Sequence, residues 1–178
     1  MNKIFASAII MCLIFDPSLA QSNWINYNAS NSLIPHNTIS QIVEDNSGNI
    51  WASSYAGLSK FDGVGWTVWD STNTGIALNN LFGMTYDEAN DYLWLATPGK
   101  LIRYDGTNWA FWSYVPYAID MSIDSFGNIW QAHYDGGISK FDGFVFQFFD
   151  TTNSPLPNNL VWSIDVSPTN EVWVTSAF

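Results

Sequence analysis

An all-β fold of small antiparallel sheets, each of four strands and stacked face to face, is predicted by three landmarks that recur in one order. Trp51, Trp94, Trp130 and Trp173 are separated by 43, 36 and 43 residues, and each closes a turn-like stretch: DNSGNIW, DEANDYLW, DSFGNIW and SPTNEVW. Asp62, Asp105 and Asp142 of FDG, YDG and FDG follow the first three tryptophans by 11, 11 and 12 residues. A W-x-x-aromatic register then runs through Trp24 and Tyr27, Trp66 and Trp69, Trp109 and Trp112, Phe146 and Phe149. A unit of about 40 residues holding four short β-type runs is the signature of a β-propeller, in which each sheet is one blade.

The first unit supplies the template. TISQIVE, NIWASS, LSKFD and GWTVWD are rich in β-branched and aromatic residues and are divided by Gly, Asp and Asn. Several runs are apolar on both faces, which suits a sheet sandwiched between neighbours. The expected organisation is a signal peptide over 1–20 and a propeller domain over 21–178. Within that domain an outer strand spans 24–28, blade 1 spans 38–70, blade 2 spans 81–113, blade 3 spans 118–150, and a partial blade 4 spans 160–176. About three and a half blades result.

Residues 1–20 read as an export signal because Lys3 precedes an apolar run from Ile4 to Phe15, and Ser18-Leu19-Ala20 offers small residues before a cut at Gln21. The expected location is the periplasm or the exterior. Removal of Cys12 with the signal leaves no cysteine, so disulfides and thiolate metal sites contribute nothing to the mature chain. Sixteen acidic residues against five basic ones give a net charge of −11, and the balance is unchanged when Lys3 and Asp16 leave. Nucleic acid and anionic membrane surfaces both need a basic footprint, so neither is an expected partner. No membrane insertion and no cofactor are expected.

DNSGNIW also has the oxygens of a calcium loop, but position twelve counted from Asp45 is Ala56, where an EF-hand needs a bidentate acid. Across the copies Asp45, Asp87 and Asp124 become Ser167, and Gly48 and Gly127 become Asn90 and Asn170. These exchanges keep turn chemistry, a short acceptor oxygen and tolerance of positive φ, while abandoning metal chemistry. The stretch reads as a hairpin turn, with no metal site. Recurrence likewise makes Trp51, Trp94, Trp130 and Trp173 the structural core of the repeat. FDG, YDG and FDG read as tight turns with Gly63, Gly106 and Gly143 left-handed.

D-x-x-G-N-I-W, G-L-S-K-F-D-G, W-x-x-W and T-N-S-P-L-P-N-N together resemble the two-component regulator propeller repeat, over nearly all of residues 24–176. That resemblance implies seven-bladed propellers exported as sensor portions of bacterial hybrid histidine kinases, whose ligands include breakdown products of polysaccharides. It implies a ligand-binding or sensing role, and carries no ligand residue, because the motif is structural. Three and a half blades fall short of such a ring, so the chain is expected to be a fragment of a longer protein. Its open blade edges are expected to favour self-association.

Loop lengths point to a site. From outer strand to next inner strand the chain takes 11 residues at Asn28–Ile39, Asp70–Leu81 and Asp150–Val161, but 5 at Ser113–Ala118. The short loop, SYVPY, lies near Trp112, Tyr114 and Tyr117, and the next loop on that face holds His133, Tyr134 and Asp135. Either the missing cover opens a pocket whose aromatics stack on an oligo- or polysaccharide, or those aromatics fill the gap. The alternative function is a metal-dependent lyase or hydrolase, since the similar streptogramin lyase propeller is catalytic through a metal, histidine and acid cluster. Here only His36 and His133 occur, two blades apart, and no G-x-S-x-G, H-E-x-x-H or phosphate loop is present. No catalytic residue is expected.

Overall fold

A computed structural model describes residues 25–113 and 115–177 of the chain. The signal peptide, Trp24 and Tyr114 lie outside the described residues. Blade 1 consists of β1 (Ile39–Glu44), β2 (Ile50–Ser54), β3 (Gly57–Phe61) and β4 (Trp66–Trp69). A single helical turn, α1 (Ser71–Thr74), leads away from it. Blade 2 consists of β5 (Gly83–Asp87), β6 (Tyr92–Thr97), β7 (Lys100–Tyr104) and β8 (Trp109–Ser113). Blade 3 consists of β9 (Ala118–Ile123), β10 (Ile129–His133), β11 (Ile138–Phe141) and β12 (Phe146–Phe149). The fourth sheet has β13 (Val161–Val166) and β14 (Val172–Ser176). Every sheet is antiparallel with strands in sequence order, and β1, β5, β9 and β13 lie side by side. This is the β-propeller the repeat predicts. Residues 25–28 carry no strand, although Tyr27 packs its ring against Phe61 and Trp66 of blade 1.

The core lies between blades. Trp51, Leu58, Leu81, Met84, Leu95 and Ile102 fill the first seam, and Trp94, Leu101, Val115, Met121, Ile129 and Phe141 fill the second. Side chains on both faces of β2 and β6 are buried, which explains why those runs lack a strict alternation.

Each repeated tryptophan is held by its own blade. Trp51 faces Lys60 across the ladder, Trp94 faces Arg103, and Trp130 faces Lys140. The Lys60 amine lies 5.3 Å from the Trp51 ring and that of Lys140 5.5 Å from Trp130. The second aromatic of W-x-x-W stacks on the first landmark: Trp69 on Trp51, Trp112 on Trp94, and Phe149 on Trp130, at 5.2, 5.4 and 5.9 Å.

The Asp turns close on themselves. Asp45 Oδ1 accepts from the Ser47 and Asn49 amides, and its Oδ2 accepts from the Trp51 indole at 2.8 Å. Asp124 repeats this with Phe126, Asn128 and Trp130, the indole at 3.0 Å. Burial raises the pKa of both carboxyls, but the Asn, indole and amide donors together outweigh it and hold both below the ordinary value. In blade 2 the turn is one residue longer. The left-handed residue there is Asp91, with φ 60°, not Asn90 as the aligned copies suggest, and the Trp94 indole N–H has no partner among the described residues. In the FDG-type turns Asp62, Asp105 and Asp142 each accept two backbone amides, and the following glycines have φ of 89, 90 and 96°, as expected.

The expectation of a fourth core tryptophan is corrected. Trp173 is 65% exposed, because among the described residues β14 pairs with β13 alone and no aromatic covers the ring. Ser167 replaces the carboxylate there, and its hydroxyl accepts the Glu171 amide instead.

Candidate functional site

The face carrying the β2–β3, β6–β7 and β10–β11 turns also carries the loops that enter each innermost strand. Three of these loops are built alike. Asn28, Asp70 and Asp150 each accept, through the side-chain oxygen, from the residue two ahead, while their own amides donate to Asn31, Asn73 and Asn153. The fourth loop, five residues long in sequence, instead buries Val115 between blades 2 and 3. Its Tyr117 carbonyl accepts the Tyr134 amide at 3.1 Å, so the short loop and the β10–β11 turn are neighbours as the sequence suggests.

Of the six expected ligand residues, the structure brings together Tyr117, Tyr134 and Asp135. Tyr117 is half-buried, Tyr134 is 49% exposed, and Asp135 is exposed. Burial, then proximity to Tyr55, raises the Tyr117 hydroxyl pKa. Tyr114 is outside the described residues. Trp112 is corrected: it stacks on Trp94 and meets Phe141 edge-on at 5.0 Å, inside the seam, because it occupies the recurring second position of W-x-x-W. His133 is corrected too. It ends β10 at the position of Ser54 and Thr97, all three buried, and it is fully covered. Its Nε2 pairs with Ser139 Oγ at 2.9 Å, which in turn donates to Gln131 Oε1. Burial pushes its pKa down to about 4, against a smaller opposing pull from the Tyr117 and Pro116 carbonyls, neither of which offers Nδ1 a well-formed hydrogen bond. His133 therefore lies buried beneath the short loop and is not exposed on this face.

The structure adds residues that repeat counting does not find. Tyr55 in the β2–β3 turn, Phe82 just before β5 and Tyr117 just before β9 form a continuous row, with ring centroids 5.1 Å apart at both contacts and interplanar angles of 87 and 74°. His36 extends the row, 5.8 Å from Tyr55. A second pair follows, Tyr134 edge-on to Trp162 of β13 at 5.6 Å. Backbone bonds between blades fix the row: the Asn80 amide donates to the Tyr55 carbonyl at 2.9 Å, and the Gly136 and Gly137 amides donate to Asn159. At the His36 end lies a hollow of about 390 Å³, lined by Asn26, Tyr27, Ser30, Ile34 and His36 among others. The arc crosses four sheets on one face.

Comparison with known proteins bears on what such a face belongs to. Residues 33–56 match the two component regulator propeller family. The matched stretch covers β1, the Asp turn and β2 of the first unit, whose landmarks the later units repeat. In fold the chain is similar to the extracellular domain of BT3049, assigned to the hybrid two component systems of B. thetaiotaomicron, with a TM-score of 0.72 at 21% identity over 89% of this chain and 23% of that one. It is similar to the extracellular domain of BT4673 from the same organism, with a TM-score of 0.72 at 18% identity and the same shares. It also resembles virginiamycin B lyase from Staphylococcus aureus, with a TM-score of 0.63 at 14% identity over 78% of this chain and 49% of that one. The chain spans under a quarter of the two extracellular domains. A search of curated protein sequences returns no match.

The recurring landmarks explain the blade interior and leave the arc unexplained. Asp45 and Trp51 fall within the matched stretch and serve the fold, whereas Tyr55, at its edge, has Pro98 and Tyr134 as counterparts in the next two blades. Within this chain, then, the turn position that contributes Tyr55 to the arc differs from blade to blade.

Proposed function

We propose that this domain is an exported ligand-binding module of sensor type, and that the aromatic arc on its loop face recognises glycans. The carrying observation is the row of partly exposed rings, Tyr55, Phe82 and Tyr117 with Tyr134 and Trp162 beyond, held in place by backbone bonds between blades. Aromatic faces bind the apolar faces of sugar rings while the tyrosine hydroxyls remain free to hydrogen bond. The similarity in fold to extracellular domains assigned to one and two component systems supports a sensing role. Export rests on Lys3 and the apolar run to Phe15. Self-association through the edge of β14, which pairs with β13 alone among the described residues, belongs to the same reading, and sedimentation of the purified domain tests it.

A metal-dependent lyase or hydrolase has weaker support. Likeness to virginiamycin B lyase at 14% identity concerns the fold, and among the described residues no three His, Asp, Glu or Cys side chains converge. A glycan array probed with the native domain and with Tyr117→Ala and Tyr134→Ala is the test. Loss of binding in variants with native circular dichroism and melting supports the site. Undiminished binding in both variants sinks it, and turnover of any bound glycan favours the lyase reading.

A further inference from the structure

We propose that the arc accepts an uncharged, linear oligosaccharide laid across blades 1 to 3, one sugar unit to each ring, and that it discriminates against polyanionic chains. This deepens the reading above and rests on it.

The first argument is spacing. His36, Tyr55, Phe82 and Tyr117 follow one another at 5.8, 5.1 and 5.1 Å, a step of the same order as the advance of one pyranose unit along a linear chain. Consecutive rings meet edge-on, at 71, 87 and 74°. Such a contact covers at most one face of one ring in each pair, so ring faces remain available along the row. The hollow of about 390 Å³ at the His36 end, with Asn26 and Ser30 in its wall, offers room and polar groups for a terminal sugar. A lone monosaccharide would use one ring of the row, whereas a chain uses all of them.

The second argument is charge. Recognition of sulfated or uronic chains depends on Arg and Lys forks aimed at the anions. Every Lys and Arg among the described residues is already placed over an aromatic ring of its own blade: Lys60 over Trp51, Arg103 over Tyr92 and Trp94, Lys140 over Trp130, and Lys100 over Phe111. Three of these occupy the ladder position opposite the repeated tryptophan, inside the blade and away from the arc. The charged side chain beside Tyr134 is an acid, Asp135, and the chain as a whole carries −11. The fourth cation, Lys100, opens β7 at the end nearer the arc but is engaged with Phe111, so a polyanion meets long-range repulsion with a single nearby cation among the described residues.

The experiment uses isothermal titration of the native domain with cello-, xylo- and manno-oligosaccharides from disaccharide to hexasaccharide, beside heparin and polygalacturonate, at low and high salt. The expected result is binding of at least one neutral series, with affinity climbing with chain length and unmoved by salt. Phe82→Ala should weaken the longest members by about tenfold. Tyr55→Ala, in an exposed turn, provides the same readout if Phe82→Ala loses the fold, and Phe111→Ala, exposed but outside the arc, should leave binding unchanged. Heparin or polygalacturonate binding more tightly than every neutral chain, with affinity falling as salt rises, overturns this inference and leaves the glycan reading intact. Failure of the native domain to bind any of these glycans overturns both.

Discussion

Trp94 and Trp173 occupy the same repeat position, yet one is 5% and the other 65% exposed, which turns a single substitution made twice into a measurement of the blade seam. Burying an indole removes about 150 to 250 Å² from water, and at about 25 cal/mol/Å² that is on the order of 4 to 6 kcal/mol as an upper bound. Trp94 stacks on Trp112 and meets Phe141, and its N–H has no partner among the described residues, so its truncation loses packing and no hydrogen bond. Trp94→Ala should cost roughly 3 to 5 kcal/mol. Trp173→Ala gives up about a third of that burial and lacks a facing sheet, so about 1 kcal/mol or less is expected. Urea unfolding followed by circular dichroism reads both as shifts in midpoint at constant slope. Equal costs for the two variants, or a cost under about 1 kcal/mol for Trp94→Ala, would refute the assignment of the repeated indole to the seam between blades.

His133 has a folded pKa near 4 against an ordinary value of 6.5, so the unfolded chain takes up the proton first. Its contribution is complete above about pH 6.5 and is lost as pH falls toward 4, at most on the order of 3 kcal/mol. Melting temperatures of His133→Thr should show a flatter slope than the parent across that window, and an unchanged slope counts against the buried neutral imidazole. Gly137→Ala should be far more damaging than Gly143→Ala, although both glycines have positive φ. A methyl at Gly137 would sit 2.0 Å from the Phe149 carbonyl oxygen, whereas at Gly143 it meets open space. Similar midpoints for the two variants would contradict the β11–β12 geometry. Calcium titrated calorimetrically into chelator-treated protein should give no micromolar site, since both oxygens of Asp45 and of Asp124 already accept protein donors. A micromolar heat abolished by Asp124→Ala would overturn the turn assignment.

The blades were legible because their determinants are local and recur: an Asp, a Gly or Asn three residues on, and a Trp at the strand start specify a turn and a register wherever they appear. Where one copy deviates, alignment misleads. The extra residue in DEANDYLW moves the left-handed position from Asn90 to Asp91 and separates the Trp94 N–H from its carboxylate. Trp173 keeps the motif and loses the burial, because burial comes from a neighbouring sheet and the motif is confined to its own. Trp112 was assignable from the sequence to the core, since W-x-x-aromatic recurs in each blade. The row of Tyr55, Phe82 and Tyr117 had no such signal: its members come from a turn and two loop ends, 27 and 35 residues apart, and meet only through the stacking of blades.

That division has a physical basis which also orders the search for function. A position that recurs in every blade answers a need every blade shares, so it is held by packing and cannot differ between copies without cost. In this chain the shared set takes the carboxylates of the Asp turns, the indoles and three of the four described Lys and Arg, each used against a partner in its own sheet. Recognition must then come from positions with different residues in each copy, such as Tyr55, Pro98 and Tyr134 in successive turns, or Phe82 and Trp162 at the mouths of β5 and β13. These positions project onto one face because propeller topology returns both the β2–β3 type turns and the strand-entry loops to the same side. Substitution at the shared positions should therefore change stability and leave the ligand preference of surviving protein intact, whereas substitution at the exposed arc positions Tyr55 and Tyr134 should change preference and leave the melting temperature nearly unmoved.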